Sequence, residues 1–192
     1  MTLTPRSIVI DADGVALEGD LILPQEATGI VVFAHGSGSS RFSSRNRQVA
    51  RHLAENGLAT LLFDLLTPEE NVIDERTRQL RFDIPWIGSR LTAAVGWVAT
   101  DDLTRHLSIG LFGASTGAAA ALIAAAERPE QVRAVVSRGG RPDLAGRHLA
   151  KVKAPTLLLV GGWDEPVIDL NQQARDRMTA VSECELVIVP GA

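Results

Sequence analysis

The chain has 192 residues, 45% of them hydrophobic and 22% charged, which is typical of one soluble globular domain. Its 19 Lys and Arg residues are outnumbered by 23 Asp and Glu residues, and the net charge of -4 argues against a nucleic-acid partner. The single cysteine, Cys184, cannot form an internal disulfide, and no apolar run is long enough for a signal peptide or a membrane span. We therefore expect a cytoplasmic protein with no membrane or nucleic-acid partner.

Apolar runs alternate with helical patterns along the chain, which predicts an α/β fold with a mostly parallel, twisted sheet and helices on both faces. Two runs that flank Asp13-Gly14, residues 7–10 and 15–23, predict an antiparallel N-terminal hairpin. Further strands are predicted at residues 29–34, 59–65, 107–112, 132–137, 155–160 and 186–189. Most of these runs are continuously apolar, as expected for parallel strands that are buried on both faces.

Segments with helical periodicity lie between the strands. We expect Ser44 to cap a helix that ends at Gly57, and Asp83 to cap a second helix that extends to Val98. Residues 116–127 are rich in alanine, which lets a helix approach its strand closely, and residues 170–178 mark a later helical face. Since no repeat or linker interrupts this pattern, residues 1–192 are predicted to form a single domain.

The strongest functional signal is the sequence Gly113-Ala114-Ser115-Thr116-Gly117, which follows a predicted strand and opens the Ala-rich helix. A serine in G-x-S-x-G at a sharp strand-to-helix turn is typical of an exposed nucleophile, and the glycines leave room for the turn. The alternative interpretation is that Ser115 only caps the helix.

A second signal is the small-residue loop His35-Gly36-Ser37-Gly38, which follows an earlier apolar strand. Such a loop can offer a backbone N–H to a developing oxyanion, and we predict that the N–H groups of Ser37 and Thr116 form this oxyanion hole. The alternatives are a flexible turn or a phosphate loop, but neither G-x-G-x-x-G nor a following P-loop lysine is present.

Three segments taken together, HGSGSS at 35–40, GASTG at 113–117 and LLLVGGWDEPV at 157–167, resemble α/β-hydrolases of the dienelactone-hydrolase-like group. The resemblance extends over nearly the whole chain and implies an α/β-hydrolase fold. Dienelactone hydrolases proper use a cysteine nucleophile, whereas position 115 is serine, so the chain is more similar to the serine esterases of the group. A lactone substrate is therefore not implied.

The resemblance also implies a catalytic acid after a late strand and a histidine after the acid. Asp164 stands at the position of the acid and would orient the histidine and stabilise its charged form. The alternatives are that Asp164 caps the following helix and that Asp143 is the acid. Arg138 and Trp163 are further pocket candidates, beside His35 and Gly36; Arg138, with Arg141, either contacts an anionic acyl group or is solvated, and we favour the solvated interpretation.

No histidine follows Asp164, so we expect the C-terminal loop and helix that carry the base in this family to be missing from residues 1–192. Of the four histidines, His35 is predicted to order its own loop, His52 lies on a helix surface, and His106 precedes the nucleophile strand. His148 is the remaining substitute, because residues 138–149 can fold over the site. The apolar run 186–189 would then have one face uncovered, which predicts a homodimer or a missing tail that covers it.

These observations predict a serine hydrolase of the carboxylesterase type that cleaves small-molecule esters through an acyl-enzyme at Ser115, without a metal or organic cofactor. Two alternatives stay open. One is a non-catalytic binding protein with the same fold, which the absent histidine favours. The other is acyl transfer to an alcohol or amine, which uses the same intermediate.

Overall fold

The computed structural model describes residues 3–192. Its strands are β1 (Arg6–Ala12), β2 (Val15–Ile22), β3 (Gly29–Ala34), β4 (Ala59–Phe63), β5 (Ser108–Ala114), β6 (Val132–Arg138), β7 (Thr156–Gly161) and β8 (Cys184–Val189). They form one sheet in the order β1-β2-β4-β3-β5-β6-β7-β8. The first two strands form an antiparallel hairpin, β2 joins β4 antiparallel, and the strands from β4 to β8 are parallel. The predicted mixed sheet is therefore confirmed.

The helices are α1 (Ser44–Glu55), α2 (Pro68–Thr77), α3 (Ile84–Val98), α4 (Thr116–Glu127) and α5 (Glu165–Arg177). Two 3-10 segments, Leu80–Phe82 and Pro142–Lys151, complete the chain between strands. The hydroxyl of Ser43, and not that of Ser44, accepts the Asn46 N–H at the start of α1, so the predicted cap was wrong by one residue. Asp83 does cap α3, through its carboxylate and the Trp86 N–H.

Helix α2 was not predicted, because its apolar residues do not form a stripe. Its start nevertheless carries a local signal: Thr67 and Glu70 exchange hydrogen bonds in a capping box, and Pro68 occupies the first turn. Val72 and Ile73 on this helix are exposed, which explains why hydrophobic periodicity gave no indication of it.

Side chains of successive residues in the parallel strands point to opposite faces of the sheet, so the core has two parts, one on each face. Phe33 and Phe112 pack with Leu62 against α1, whereas Ile30, Val32 and Leu111 point to the face that α3 and α4 cover. Helix α4 is buried along its length, from Ala118 to Ala125. Its small side chains allow the close approach that the sequence predicted, which places the first turn of α4 directly at the end of β5.

Strand β8 forms the edge of the sheet and pairs only with β7. Ile188 and Val189 at its end are 43% and 41% exposed, and because successive side chains of a strand point to opposite faces, this apolar end of β8 is open to solvent on both. Within residues 3–192, the model contains no helix with the length and apolar character that a membrane span requires.

We expect the exposed apolar end of β8 to drive self-association, because burying apolar surface is favourable and an uncovered edge strand pairs readily. Sedimentation velocity over a concentration series will show a dimer that Ile188→Glu weakens. The exposed Val9 on β1, at the opposite edge of the sheet, supplies the matched control Val9→Glu. A monomer at every concentration contradicts the predicted homodimer.

Candidate active site

Ser115 lies at the turn between β5 and α4, with its side chain exposed. Its backbone has φ 53 and ψ -126, a left-handed φ that is costly for a residue with a Cβ. The Ser115 side chain makes no capping hydrogen bond to α4. The simpler interpretation, that this serine only caps the helix, is therefore not supported, and its hydroxyl is left free at the end of the strand.

The turn is possible because two glycines let three backbone segments come very close. A Cβ on Gly117 would collide with the main-chain oxygens of Ala34 and His35, which end β3 and begin the next loop. A Cβ on Gly113 would collide with the backbone of Ala118 in α4. The loop after β3 is thus held directly against the serine, as G-x-S-x-G at a sharp turn requires.

The two predicted oxyanion residues are bonded to each other. The Ser37 N–H donates to Thr116 Oγ1 at 2.9 Å, and the two hydroxyl oxygens lie 2.8 Å apart. The Ser37 hydroxyl donates to the carbonyl of Arg81 at 2.9 Å, so its proton is used and the Thr116 hydroxyl must donate to Ser37 Oγ. The Ser37 N–H is therefore occupied in this structure, whereas the Thr116 N–H begins α4 and has no partner within the helix.

His35 fixes the shape of this loop. Its Nε2 accepts the Leu65 N–H at 3.2 Å, so the proton is on Nδ1, which donates to the Gly36 carbonyl at 3.0 Å. Burial lowers the pKa of His35 from 6.5, more than the Gly36 carbonyl and Asp64 raise it. With both ring nitrogens engaged, His35 orders the loop as the sequence analysis expected, and its ring cannot accept a proton from Ser115.

A cavity of about 540 Å³ opens beside Ser115 at the carboxyl ends of β5, β6 and β7. It is lined by Arg45, Ala114, Ser115, Arg138, Gly139, Leu159, Val160, Gly161, Val189 and Ala192. Its size is suitable for a small-molecule ligand. Trp163, a predicted pocket residue, does not line this cavity and is 81% exposed.

Arg138 is partly buried at the wall of this cavity, which differs from the solvated interpretation. It lies opposite Ala114 in the parallel register, donates to Asn46 Oδ1 at 2.9 Å, and stands 5.6 Å from the centre of the Phe112 ring. Burial, and to a lesser extent the nearby Arg45 guanidinium, lower the pKa of Arg138.

The two candidate acids, Asp164 and Asp143, differ in the hydrogen bonds that their carboxylates make. Asp164 lies directly before α5, and its exposed carboxylate makes no capping hydrogen bond, so it is available at the end of β7. Asp143 instead accepts two hydrogen bonds from the Arg141 guanidinium, at 2.9 and 2.8 Å. The structure thus commits Asp143 and Arg141 to each other, and the catalytic role of Asp164 stays a prediction.

None of the other three histidines lies at Ser115. His52 is on the exposed surface of α1, and His106 precedes β5, at the opposite end of the strand from the serine. His148 contacts the Ala145 carbonyl at 3.1 Å, and its Nε2 lies 3.7 Å from Glu127, the last residue of α4. Since α4 has 12 residues, this contact is about 18 Å along the helix from Ser115. His148 is therefore not the substitute base.

Gly117→Ala should lower the free energy of unfolding by about 1–3 kcal/mol or more, because the added Cβ meets backbone atoms that cannot move independently. Gly110→Ala in β5 is the matched control, since a Cβ there has its nearest neighbour at 3.8 Å. Urea denaturation of both variants measures the difference. Equal stability of the two variants would show that the backbone segments are not in close contact at Ser115.

Stability should also fall on acidification because of His35. Below the ordinary pKa of 6.5 the unfolded chain binds a proton that the folded chain, with its lowered pKa, does not bind, so the unfolded state is favoured. Urea denaturation between about pH 8 and about pH 5 should show a steeper loss for the wild type than for His35→Gln. Parallel pH profiles of the two proteins contradict this assignment.

The chain and its fold are similar to those of one family of known proteins. The family model for the dienelactone hydrolase family matches residues 17–192. The chain is 57% identical to a dienelactone hydrolase from Anabaena variabilis, whose crystal structure superimposes with a TM-score of 0.94 over 98% of this chain and 88% of that one. The esterase Est1E from Butyrivibrio proteoclasticus, 18% identical, has the same fold with a TM-score of 0.73 over 96% of this chain and 88% of that one.

Two Mycobacterium tuberculosis proteins, provisionally named phosphoribosyl transferases, are each 55% identical over 190 residues, or 99% of this chain. The chain spans 42% of the length of these relatives. The family match covers nearly all of the chain, and the solved relative superimposes over 98% of it. The chain therefore belongs to the dienelactone hydrolase family of the α/β-hydrolase fold.

Proposed function

We propose that the chain acts as a serine hydrolase, with Ser115 as the nucleophile that cleaves small carboxylic esters. The single observation that carries this proposal is the exposed Ser115 hydroxyl at a left-handed backbone position, beside the first N–H of α4 and a cavity of ligand size. Strain of this kind persists only where the surrounding structure enforces it, and it is concentrated at functional sites. A serine that had only to begin a helix would adopt an ordinary conformation.

In the proposed reaction, Ser115 Oγ attacks the acyl carbon of the ester and gives its proton to a general base. The tetrahedral intermediate then expels the alcohol, which takes that proton, and leaves an acyl-serine. Water, deprotonated by the same base, attacks the acyl-serine and releases the carboxylic acid. The negative oxygen of each intermediate is stabilised by the Thr116 N–H, to which the helix dipole of α4 contributes.

The second oxyanion donor depends on the Thr116 hydroxyl. The Ser37 N–H donates to that hydroxyl in this structure, so it reaches an oxyanion only if the Thr116 side chain releases it. An oxyanion is a stronger acceptor than a neutral hydroxyl, which favours this exchange in the transition state. The pair Ser37 and Thr116 thus stays our proposal for the oxyanion hole.

The proposed reaction also needs an acidic residue and a general base. Asp164 is the acid we favour, because its carboxylate is free whereas that of Asp143 is bonded to Arg141. No histidine among residues 3–192 reaches Ser115, so we propose that the base is a group other than these four histidines. The same observation favours a second candidate function, a non-catalytic protein that binds a ligand in the cavity.

The names of the mycobacterial relatives suggest phosphoribosyl transfer. This chain covers 42% of their length, and the geometry around Ser115 favours acyl chemistry for the part it covers. Acyl transfer to an alcohol or amine differs from hydrolysis only in the molecule that attacks the acyl-serine. Product analysis of the reaction distinguishes the two.

The proposal is tested by adding a general base, imidazole, to the solution. Hydrolysis of p-nitrophenyl acetate by the 192-residue chain is measured with and without imidazole, because free imidazole can occupy the space that a histidine would fill and accept the Ser115 proton. We expect imidazole to raise turnover above the rate of imidazole and buffer alone, and Ser115→Ala to abolish the increase.

The matched control is Ser108→Ala, which removes an exposed hydroxyl from the opposite end of β5. It should leave the imidazole-dependent rate unchanged. Turnover by Ser115→Ala equal to that of the wild type contradicts the nucleophile. Saturable binding of the ester without product, with or without imidazole, favours the non-catalytic alternative.

A further inference from the structure

Two arginines, Arg45 and Arg138, line the Ser115 cavity. Arg138 ends β6, and Arg45 lies in the first turn of α1, which carries no acidic side chain. In the part of the chain that the structure describes, neither guanidinium has a carboxylate within 4.0 Å, whereas Arg41, Arg81 and Arg90 all have one. The lining of the cavity contains no Asp or Glu side chain.

Arg138 is held in place at the wall of the cavity that Ser115 also lines. The backbone after it is fixed by the Gly139 N–H, which donates to Leu159 O at 2.7 Å, and by the Arg141 N–H, which donates to Ser115 O at 3.0 Å. The bond from Arg138 to Asn46 uses one of the five guanidinium N–H groups. The remaining donors are left for a ligand, and the position of the guanidinium does not depend on that ligand.

The rest of the cavity wall strengthens electrostatic attraction to an anion. Apart from the two arginines and Ser115, the residues that line the cavity are glycines or carry apolar side chains, among them Leu159, Val160 and Val189. Charges interact more strongly beside apolar walls than in bulk water. Two guanidinium groups that repel each other in such a place are stabilised by an anion that binds between them.

We propose that this arginine pair binds a phosphate group, and that the substrate of Ser115 is a small ester that carries a phosphate monoester. The charge of the pair selects the class of anion: a phosphate monoester carries about -1.5 to -2 at neutral pH and neutralises both arginines, whereas a single carboxylate leaves one positive charge uncompensated. This inference rests on the proposed function, because it places the ester of the same molecule at Ser115.

The experiment measures binding separately from turnover. Phenyl phosphate and benzoate are titrated into the 192-residue chain by isothermal titration calorimetry at low ionic strength. We expect phenyl phosphate to bind more tightly than benzoate, and Arg138→Met and Arg45→Met each to weaken it by about ten-fold or more, since each removes a charge-assisted contact. Arg45 is exposed, so its variant tests the proposal even if Arg138→Met fails to fold.

The matched control is Arg133→Met, which removes an exposed arginine from the opposite end of β6 and should not change the affinity. No binding of phenyl phosphate, equal affinity of all variants, or benzoate bound as tightly as phenyl phosphate each overturns the proposal. Reaction of Ser115 with a fluorophosphonate is followed in parallel. If Ser115 does not react with the fluorophosphonate but phenyl phosphate still binds, the proposed hydrolase is contradicted and the anion site is not. If Ser115 reacts but phenyl phosphate does not bind, only the anion site is contradicted.

Discussion

The close contact of three backbone segments at Ser115 is the constraint on which the rest of the site depends. Gly117 lies against the carbonyls that end β3, and Gly113 lies against the first turn of α4. This contact forces the left-handed backbone at the serine and brings the His35 loop beside it. The nucleophile, the nearest backbone N–H donors and the cavity are therefore positioned by one packing arrangement of the main chain.

The polar groups around this contact fall into two sets. His35, Ser37 and Thr116 use most of their hydrogen-bonding capacity on one another and on nearby backbone, so they stabilise the loop against the elbow. Arg45 and Arg138 differ from these groups: within residues 3–192 neither has a carboxylate within 4.0 Å, and the one side-chain hydrogen bond of Arg138, to Asn46, leaves its other N–H groups open to the cavity. Groups of the first set hold the geometry, and groups of the second set are free to meet a ligand.

The sequence predicted much of this arrangement. Continuous apolar runs identified most of the parallel strands, because a parallel strand is buried on both faces, and the runs that flank Asp13-Gly14 identified the hairpin. G-x-S-x-G placed Ser115 at the turn. Helix α2 was not predicted because its apolar residues, such as Val72, are exposed and form no buried stripe. The sequence marks its start only by a capping box. The hydrogen bond from the Ser37 N–H to Thr116 Oγ1 could not be predicted either, since it joins residues 79 positions apart and depends on the rotamer of Thr116.

The distance of His148 from the serine and the pairing of Asp143 with Arg141 were likewise decided by tertiary packing. The sequence could place both residues near the carboxyl edge of the sheet. Only the folded structure shows that His148 contacts the Ala145 carbonyl and that Asp143 accepts hydrogen bonds from Arg141. The position of Arg138 illustrates the same point. It ends β6, a strand that was predicted one residue too short, and its burial depends on Phe112 and Asn46 from two other elements.

The central claim is that the Ser115 hydroxyl is a nucleophile, and peptide-level mass spectrometry after reaction with a fluorophosphonate tests it most directly. We expect one phosphonate adduct per chain, on the peptide that contains Ser115, and no adduct on the Ser115→Ala variant. An adduct distributed over several serines, or no adduct on folded protein in the presence of imidazole, would contradict it.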